Sequence, residues 1–226
     1  RKAPDGSVTG EDLGAQYTLN LLAKFELPVE TMIGLFDYAR QAGLIVLCTP
    51  WEEESLRILE DYGMPAYKIA SADLTNHPFI ERLARTYKPL LLSTGMASEE
   101  EIVDTVKLLH RCGSSYALLH CNSTYPAPFK DLNLAYLPRL KEIGACPVGY
   151  SGHERGIHVA AAAVSQGARI IEKHITTDRG LEGSDHKASL LPDEFRQMVE
   201  GVRQVEEALG TGRARTVSQG ELMNRA

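Results

Sequence analysis

Six short, nearly continuous apolar runs, at 44–49, 66–71, 89–94, 116–123, 147–151 and 168–176, alternate strictly with helical patterns. Runs of this length rich in Leu, Ile and Val read as strands buried on both faces. The stretches between them carry apolar residues at helical spacing, as in Ile102, Val103, Val106, Leu108 and Leu109, with charges on the other face. Parallel strands need a crossover, and a helix that supplies it also covers the sheet, so the pattern predicts a parallel α/β sheet, open or closed. The strand ends choose between the two. Thr49, Ser71, Ser93, Thr94, Ser123, Ser151, His153 and His174 fall at or just past the ends of the runs. In a barrel those ends converge on one mouth, whereas an open sheet gathers its ligand groups near one switch point. The expected fold is therefore a TIM (β/α)8 barrel, here incomplete, with about six β/α units over residues 1–210 and a linker over 211–226. A chain of 226 residues suits one such domain.

Local punctuation supports the helices. Thr49-Pro50-Trp51-Glu52 and Ser98-Glu99-Glu100-Glu101 both fit a capping box, with Pro50 expected at a first helical position. Residues 1–25 have loop composition, a helix is expected to run to about Gln41 with Gly43 closing it, and another runs from Pro192 to about Leu209.

Charge and composition exclude several classes. Lys and Arg number 24 against 30 Asp and Glu, and a net charge of −6 argues against a nucleic-acid binder. No apolar run approaches the roughly 18 residues of a membrane span. Cys48, Cys112, Cys121 and Cys146 lack C-x-x-C spacing and sit mostly in apolar runs, which predicts buried thiols and a cytoplasmic protein.

His153 and His174, at the ends of adjacent strands, would meet at one rim, where two imidazoles suit a divalent metal whose other positions are filled by water and substrate. Two hydrogen-bonded structural histidines fit the spacing equally well. His186, in Gly183-Ser184-Asp185-His186-Lys187, can orient a carboxylate or bind metal. Lys68 and Lys173 lie inside apolar strands, where an ammonium needs an anionic partner: a bound phosphate or carboxylate, or a structural ion pair. Ser71, Ser93, Thr94 and Ser151 at the same rim favour an anion, since hydroxyls and amides leading into helix N-termini cradle phosphates. Asp185 can take a proton or bind a sugar hydroxyl, or simply cap a turn, and Tyr125 can present its phenol to a ligand or pack its loop.

Five strings taken in order sharpen this picture: Tyr67-Lys68-Ile69-Ala70-Ser71-Ala72-Asp73, Leu92-Ser93-Thr94-Gly95-Met96, His120-Cys121-Asn122-Ser123-Thr124-Tyr125-Pro126, Gly149-Tyr150-Ser151-Gly152-His153-Glu154, and Glu172-Lys173-His174 with Gly183-Ser184-Asp185-His186-Lys187. Together they resemble the sialic acid synthase family. The resemblance implies a (β/α)8 barrel with manganese or magnesium on His153 and His174. It also implies a phosphoenolpyruvate site at Lys68, Ser71, Ser93 and Ser151, helped by Ser123, with Tyr125 and Asp185 toward an N-acetylated amino sugar. The implied reaction joins phosphoenolpyruvate to N-acetylmannosamine or its 6-phosphate, giving N-acetylneuraminate and phosphate. Synthases of pseudaminic, legionaminic or spore-coat sugars, and an inactive ligand-binding fragment, are the alternatives. The family's first-strand glutamate, the lysine and glutamine near its second strand, and its C-terminal antifreeze-like domain have no counterpart between Arg1 and Ala226, so two strands are expected to be missing. A homodimer is implied for a complete protein.

Overall fold

The structure is a computed structural model that describes residue 20 and residues 22–225; residues 1–19, most of the expected N-terminal loop, lie outside the described residues. Of that expected loop, residues 22–25 are helical. The chain then forms α1 (Val29–Gln41), α2 (Glu53–Tyr62), β1 (Tyr67–Ile69), α3 (His77–Ala84), β2 (Leu90–Ser93), α4 (Glu99–Arg111) and β3 (Tyr116–Cys121). After these come α5 (Leu137–Gly144), β4 (Val148–Gly152), α6 (His158–Ser165), β5 (Ile170–Lys173), α7 (Pro192–Leu209) and α8 (Gln219–Met223). The strands are all parallel and lie in sequence order, β1-β2-β3-β4-β5.

The ends of the helices follow from local chemistry. At α4, Ser98 Oγ accepts from the Glu101 N–H at 3.2 Å and the Glu101 carboxylate accepts from the Ser98 N–H at 2.7 Å, the reciprocal box that the sequence predicts. At α2 the expectation needs correction. Glu52, not Thr49, is the cap: its carboxylate accepts from the Ser55 and Glu54 N–H groups at 2.7 and 2.6 Å, and Pro50 and Trp51 precede the helix. A carboxylate has two acceptor oxygens and takes both free amides, which a threonine hydroxyl three residues earlier does not reach. The stretch read as a linker contains α8, capped in the same way by Ser218 and Glu221.

The strand expected at 44–49 contracts to a single bridge between Cys48 and Tyr67. The run lies at the open edge of the sheet, and among the described residues nothing pairs with its outer side. Accordingly Ile45 is 81% exposed, while Val46 alone in the run is buried. The last strand is likewise a half-exposed edge.

Alternation along each strand separates two faces. Tyr67 and Ile69, Leu90 and Leu92, Tyr116 and Leu118, and Val148 and Tyr150 point toward the helices, forming one core with Leu59, Ile80, Leu83, Leu109, Leu137 and Leu140. The intervening residues point the other way: Lys68, Ser93, Leu119, Cys121, Ser151 and Glu172, with Cys121, Ser151 and Glu172 paired in register across three strands. That inner face is strongly curled. Five strands about 4.8 Å apart would put β1 and β5 about 19 Å apart if flat. Lys68 Nζ on β1 is instead 3.5 Å from Glu172 Oε2 on β5. The architecture is an arc of a (β/α)8 barrel, with its helices outside and its polar strand ends inside.

Leu118 is fully buried between the central strand and the helices. Leu118→Ala is expected to destabilise the chain by about 2–5 kcal/mol, read from urea unfolding midpoints; a change below about 1 kcal/mol would mean that this face is not close-packed.

Candidate active site

The curl gathers residues from every strand around one cleft of about 360 Å³ at the C-terminal strand ends. Lys68, Ser71, Ser93, Ser123, Tyr125, Ser151, His153 and His174 line it, joined by Thr49, Trp51, Met96, Cys121 and Glu172. Those eight, and Thr49 with them, were singled out in the sequence and share one surface.

One wall is a cluster of hydroxyls. Ser71 Oγ accepts from the Gly95 N–H at 3.0 Å. A Cβ at Gly95 would lie 2.2 Å from Ser123 Oγ, 2.8 Å from Ser71 Oγ and 3.2 Å from Cys121 Sγ, so only glycine lets this loop close on the hydroxyls. Burial pushes the Cys121 thiol pKa up, with hydrogen bonds from Ser71, Ser151 and Ser123 opposing it in part. Ser93 Oγ is buried without a hydrogen-bond partner among the described residues. Leaving a buried hydroxyl unpaired is unfavourable by roughly 1–3 kcal/mol, which a ligand oxygen would relieve.

The opposite wall carries the imidazoles. His153 Nδ1 is 2.7 Å from the Asn122 carbonyl oxygen, which can only accept, so Nδ1 bears the proton and the Nε2 lone pair is free. The His153 and His174 ring centroids are 5.2 Å apart at 58°, and Tyr125 packs against both at 4.1 and 5.8 Å. Burial lowers the pKa of both histidines, so both are neutral near pH 7. Burial, reinforced by the charges of Cys121, Asp185 and Glu172, pushes the Tyr125 phenol up to about 12 and keeps it a neutral donor. Between the walls, Glu172 accepts from Ser151 Oγ at 3.3 Å and faces the Lys68 ammonium.

Two expected substrate contacts fall outside the cleft. Thr94 follows the inward Ser93, so alternation turns it to the other face, where its hydroxyl donates to the Leu119 carbonyl at 3.1 Å. Lys173 sits between inward Glu172 and His174 and points away for the same reason. Its ammonium is 2.8 Å from Glu154 Oε1, with both side chains 2% exposed. Burial lowers the Lys173 pKa, opposed by the Glu154 carboxylate. Asp185 stands at the edge: its Oδ2 is 4.0 Å from His174 Nδ1, beyond hydrogen-bond reach, and it lines an adjoining cleft with Leu22, Phe25 and Glu26. His186 is engaged with the Thr176 hydroxyl at 2.8 Å.

Glu172 and Cys121 line the cleft from the strands themselves and were not picked out as site residues from the sequence. Period 2 was the available signal, since Glu172 shares a face with His174 and Cys121 shares one with Ser123.

Residues 3–214 match the NeuB family. The chain belongs to that family. It is 40% identical over 197 residues, 86% of its length, to N,N'-diacetyllegionaminic acid synthase of Campylobacter jejuni. It is 35% identical over 175 residues, 77% of its length, to human N-acetylneuraminate-9-phosphate synthase. The chain spans 59% and 49% of those relatives' own lengths. Among solved structures, the N-acetylneuraminic acid (sialic acid) synthetase of Leptospira borgpetersenii, crystallised in complex with citrate, superposes with a TM-score of 0.87 at 32% identity. That superposition covers 96% of this chain and 75% of the other. This NeuB chain thus has sugar-acid synthases as relatives, and no helix among its described residues is long and apolar enough to cross a membrane.

The neutral imidazoles fix a sign for the pH dependence. Below about pH 6.5 the unfolded chain takes up protons that the folded histidines resist, so stability falls as pH drops from about 6.5 toward their lowered pKa values. A His153→Gln/His174→Gln variant is expected to show a shallower loss of urea midpoint over that window. An equal slope in the two proteins would show that the rings are not held neutral.

Proposed function

We propose that this chain carries the phosphoenolpyruvate and metal sites of a synthase that condenses phosphoenolpyruvate with an N-acetylated amino sugar, N-acetylmannosamine or its 6-phosphate, giving N-acetylneuraminate and phosphate. The observation that carries the reading is the Ser93 hydroxyl, without a partner among the described residues and buried in the cleft that also holds Lys68, Ser71 and the two neutral histidines. An anion with several acceptor oxygens would satisfy Ser93 and take Lys68 from Glu172, a pairing that at 3.5 Å is long for a charge-assisted bond. Ser123 and Ser151 would complete the cradle and stabilise the charge that develops as phosphate departs.

The histidines would hold the divalent ion, manganese or magnesium, and of the two their imidazole nitrogens suit manganese better, since magnesium takes oxygen ligands. His153 offers Nε2 because Asn122 holds its other nitrogen, and burial leaves both rings uncharged. No group of three or more His, Cys, Asp and Glu ligands occurs among the described residues, so the ion would rest on two imidazoles with positions open to substrate. When bound, it would supply Lewis-acid polarisation of the sugar aldehyde. Tyr125, neutral and packed on both rings, is suited to donate a hydrogen bond to the sugar, with Asp185 beside it at the rim. Lys173, committed to Glu154, has no part in substrate binding in this reading.

A second reading stays within the same chemistry, because the Campylobacter relative is a synthase of a diacetylated sugar acid. A cytoplasmic homodimer is the proposed state of the complete protein.

Calorimetric titration of the chain with phosphoenolpyruvate, with and without Mn²⁺, tests the site. Binding is expected, roughly tenfold to a hundredfold weaker in Lys68→Met, with its metal dependence lost in His174→Ala. A folded chain that binds no phosphoenolpyruvate would overturn the reading. For the sugar, phosphate release by the complete protein is expected with N-acetylmannosamine or its 6-phosphate; turnover of a di-N-acetylated sugar alone would select the second reading.

A further inference from the structure

Behind the cleft, on the helix side of the sheet, lies a second polar cluster that the proposed chemistry does not use. Lys173 Nζ is 2.8 Å from Glu154 Oε1 and also donates to the Glu154 backbone carbonyl, while Tyr150 OH donates to Glu154 Oε2 at 2.6 Å. Both members of the ion pair are 2% exposed. Gly152 makes room for it, since a Cβ there would lie 2.8 Å from both Glu154 Oε2 and Tyr150 Cε1.

The placement of this cluster is specific. Glu154 immediately follows His153, and Lys173 immediately precedes His174. The register of β4 with β5 ends at Gly152↔Lys173, so His153 and Glu154 lie beyond the last paired residue. Outside the ladder, the turn is held by the Ala127 N–H to the His153 carbonyl at 3.0 Å, by His153 Nδ1 to Asn122, and by Lys173 to Glu154. The first two tie it to the segment after β3. The Lys173 contacts tie it to the strand that carries His174.

Buried ion pairs are poor sources of stability, because desolvation offsets their attraction and apolar residues of similar volume often replace them without loss. What such a pair supplies is a fixed geometry. We propose that Glu154 and Lys173 are positioning residues, their buried pair setting the separation and tilt of the His153 and His174 rings and thereby the affinity of that imidazole pair for a divalent cation. The cation half of this inference rests on the two histidines being ligands, as read above; the ring geometry does not.

The test compares the parent protein with a Glu154→Leu/Lys173→Met variant, first metal-free and then titrated with Mn²⁺. The double variant is expected to fold with a thermal midpoint only a few degrees below that of the parent, the loss coming from the Tyr150 hydroxyl, which is left without its acceptor. Its His153 and His174 imidazole ¹H–¹⁵N resonances should nevertheless move, and its Mn²⁺ dissociation constant should rise by about tenfold to a hundredfold, the usual effect of disturbing groups behind a ligand. A folded double variant with unmoved imidazole resonances and unchanged Mn²⁺ affinity overturns the proposal. Should the double variant fail to fold, Tyr150→Phe decides, since it removes one hydroxyl from the same carboxylate: displaced imidazole resonances support the clamp and unmoved ones overturn it. A parent protein that binds no Mn²⁺ would sink the ligand reading, and the metal-free resonances would still decide whether the pair positions the rings.

Discussion

A parallel strand between helices has no solvent-facing side, so each of its residues must be accommodated either against the helices or against the other strands. In this chain the helix side takes the large apolar residues, and the core between sheet and helices is continuous from Val46 to Ala168. That leaves the inner side free to carry groups an ordinary core would reject. Lysine, serine, cysteine, glutamate and histidine alternate there with residues such as Leu119 and Gly149. Gly149 shows how tight that inner layer is: a Cβ at this position would meet the Ile170 carbonyl and Leu119 Cδ2 at 2.5 Å.

The electrostatics of the cleft follow from the same division. Lys68, its one inward cation among the described residues, faces the inward anion Glu172 across the curl, while the second lysine is neutralised on the far face by Glu154. The inner pair is long and partly exposed, and the outer one is short and buried. A ligand can displace the first far more readily than the second, because breaking a buried pair leaves a charge without water or partner. Burial acts on the histidines and Tyr125 in one direction, favouring uncharged rings and an intact phenol.

Much of this was legible in the sequence. The β/α alternation, the Ser98–Glu101 box and the convergence of Ser71, Ser93, Ser151, His153 and His174 all follow from patterns with a physical cause. The misplacements have causes too. Thr94 and Lys173 sit one residue from true inward positions, and a reading that registers polar residues near a strand end, without enforcing period 2, takes both neighbours. Glu172 was overlooked by the same route, named only within the Glu172-Lys173-His174 string and not as a cleft residue. The run at 44–49 has strand composition but pairs only at Cys48, because pairing is a property of neighbours that composition does not contain. The tautomer of His153 depends on a carbonyl 31 residues away, which no local pattern announces.

The central claim is that curling a five-stranded sheet makes one anion site from Lys68 on its first strand and the serines of the strands beyond. The most direct measurement is a crystal structure of the chain soaked with phosphoenolpyruvate. Phosphate oxygens are expected within hydrogen-bond distance of Lys68 Nζ and Ser93 Oγ, with Lys173 still held by Glu154. Ligand bound instead at the other end of the strands, in the cleft that Lys141 and Arg169 line, would contradict it.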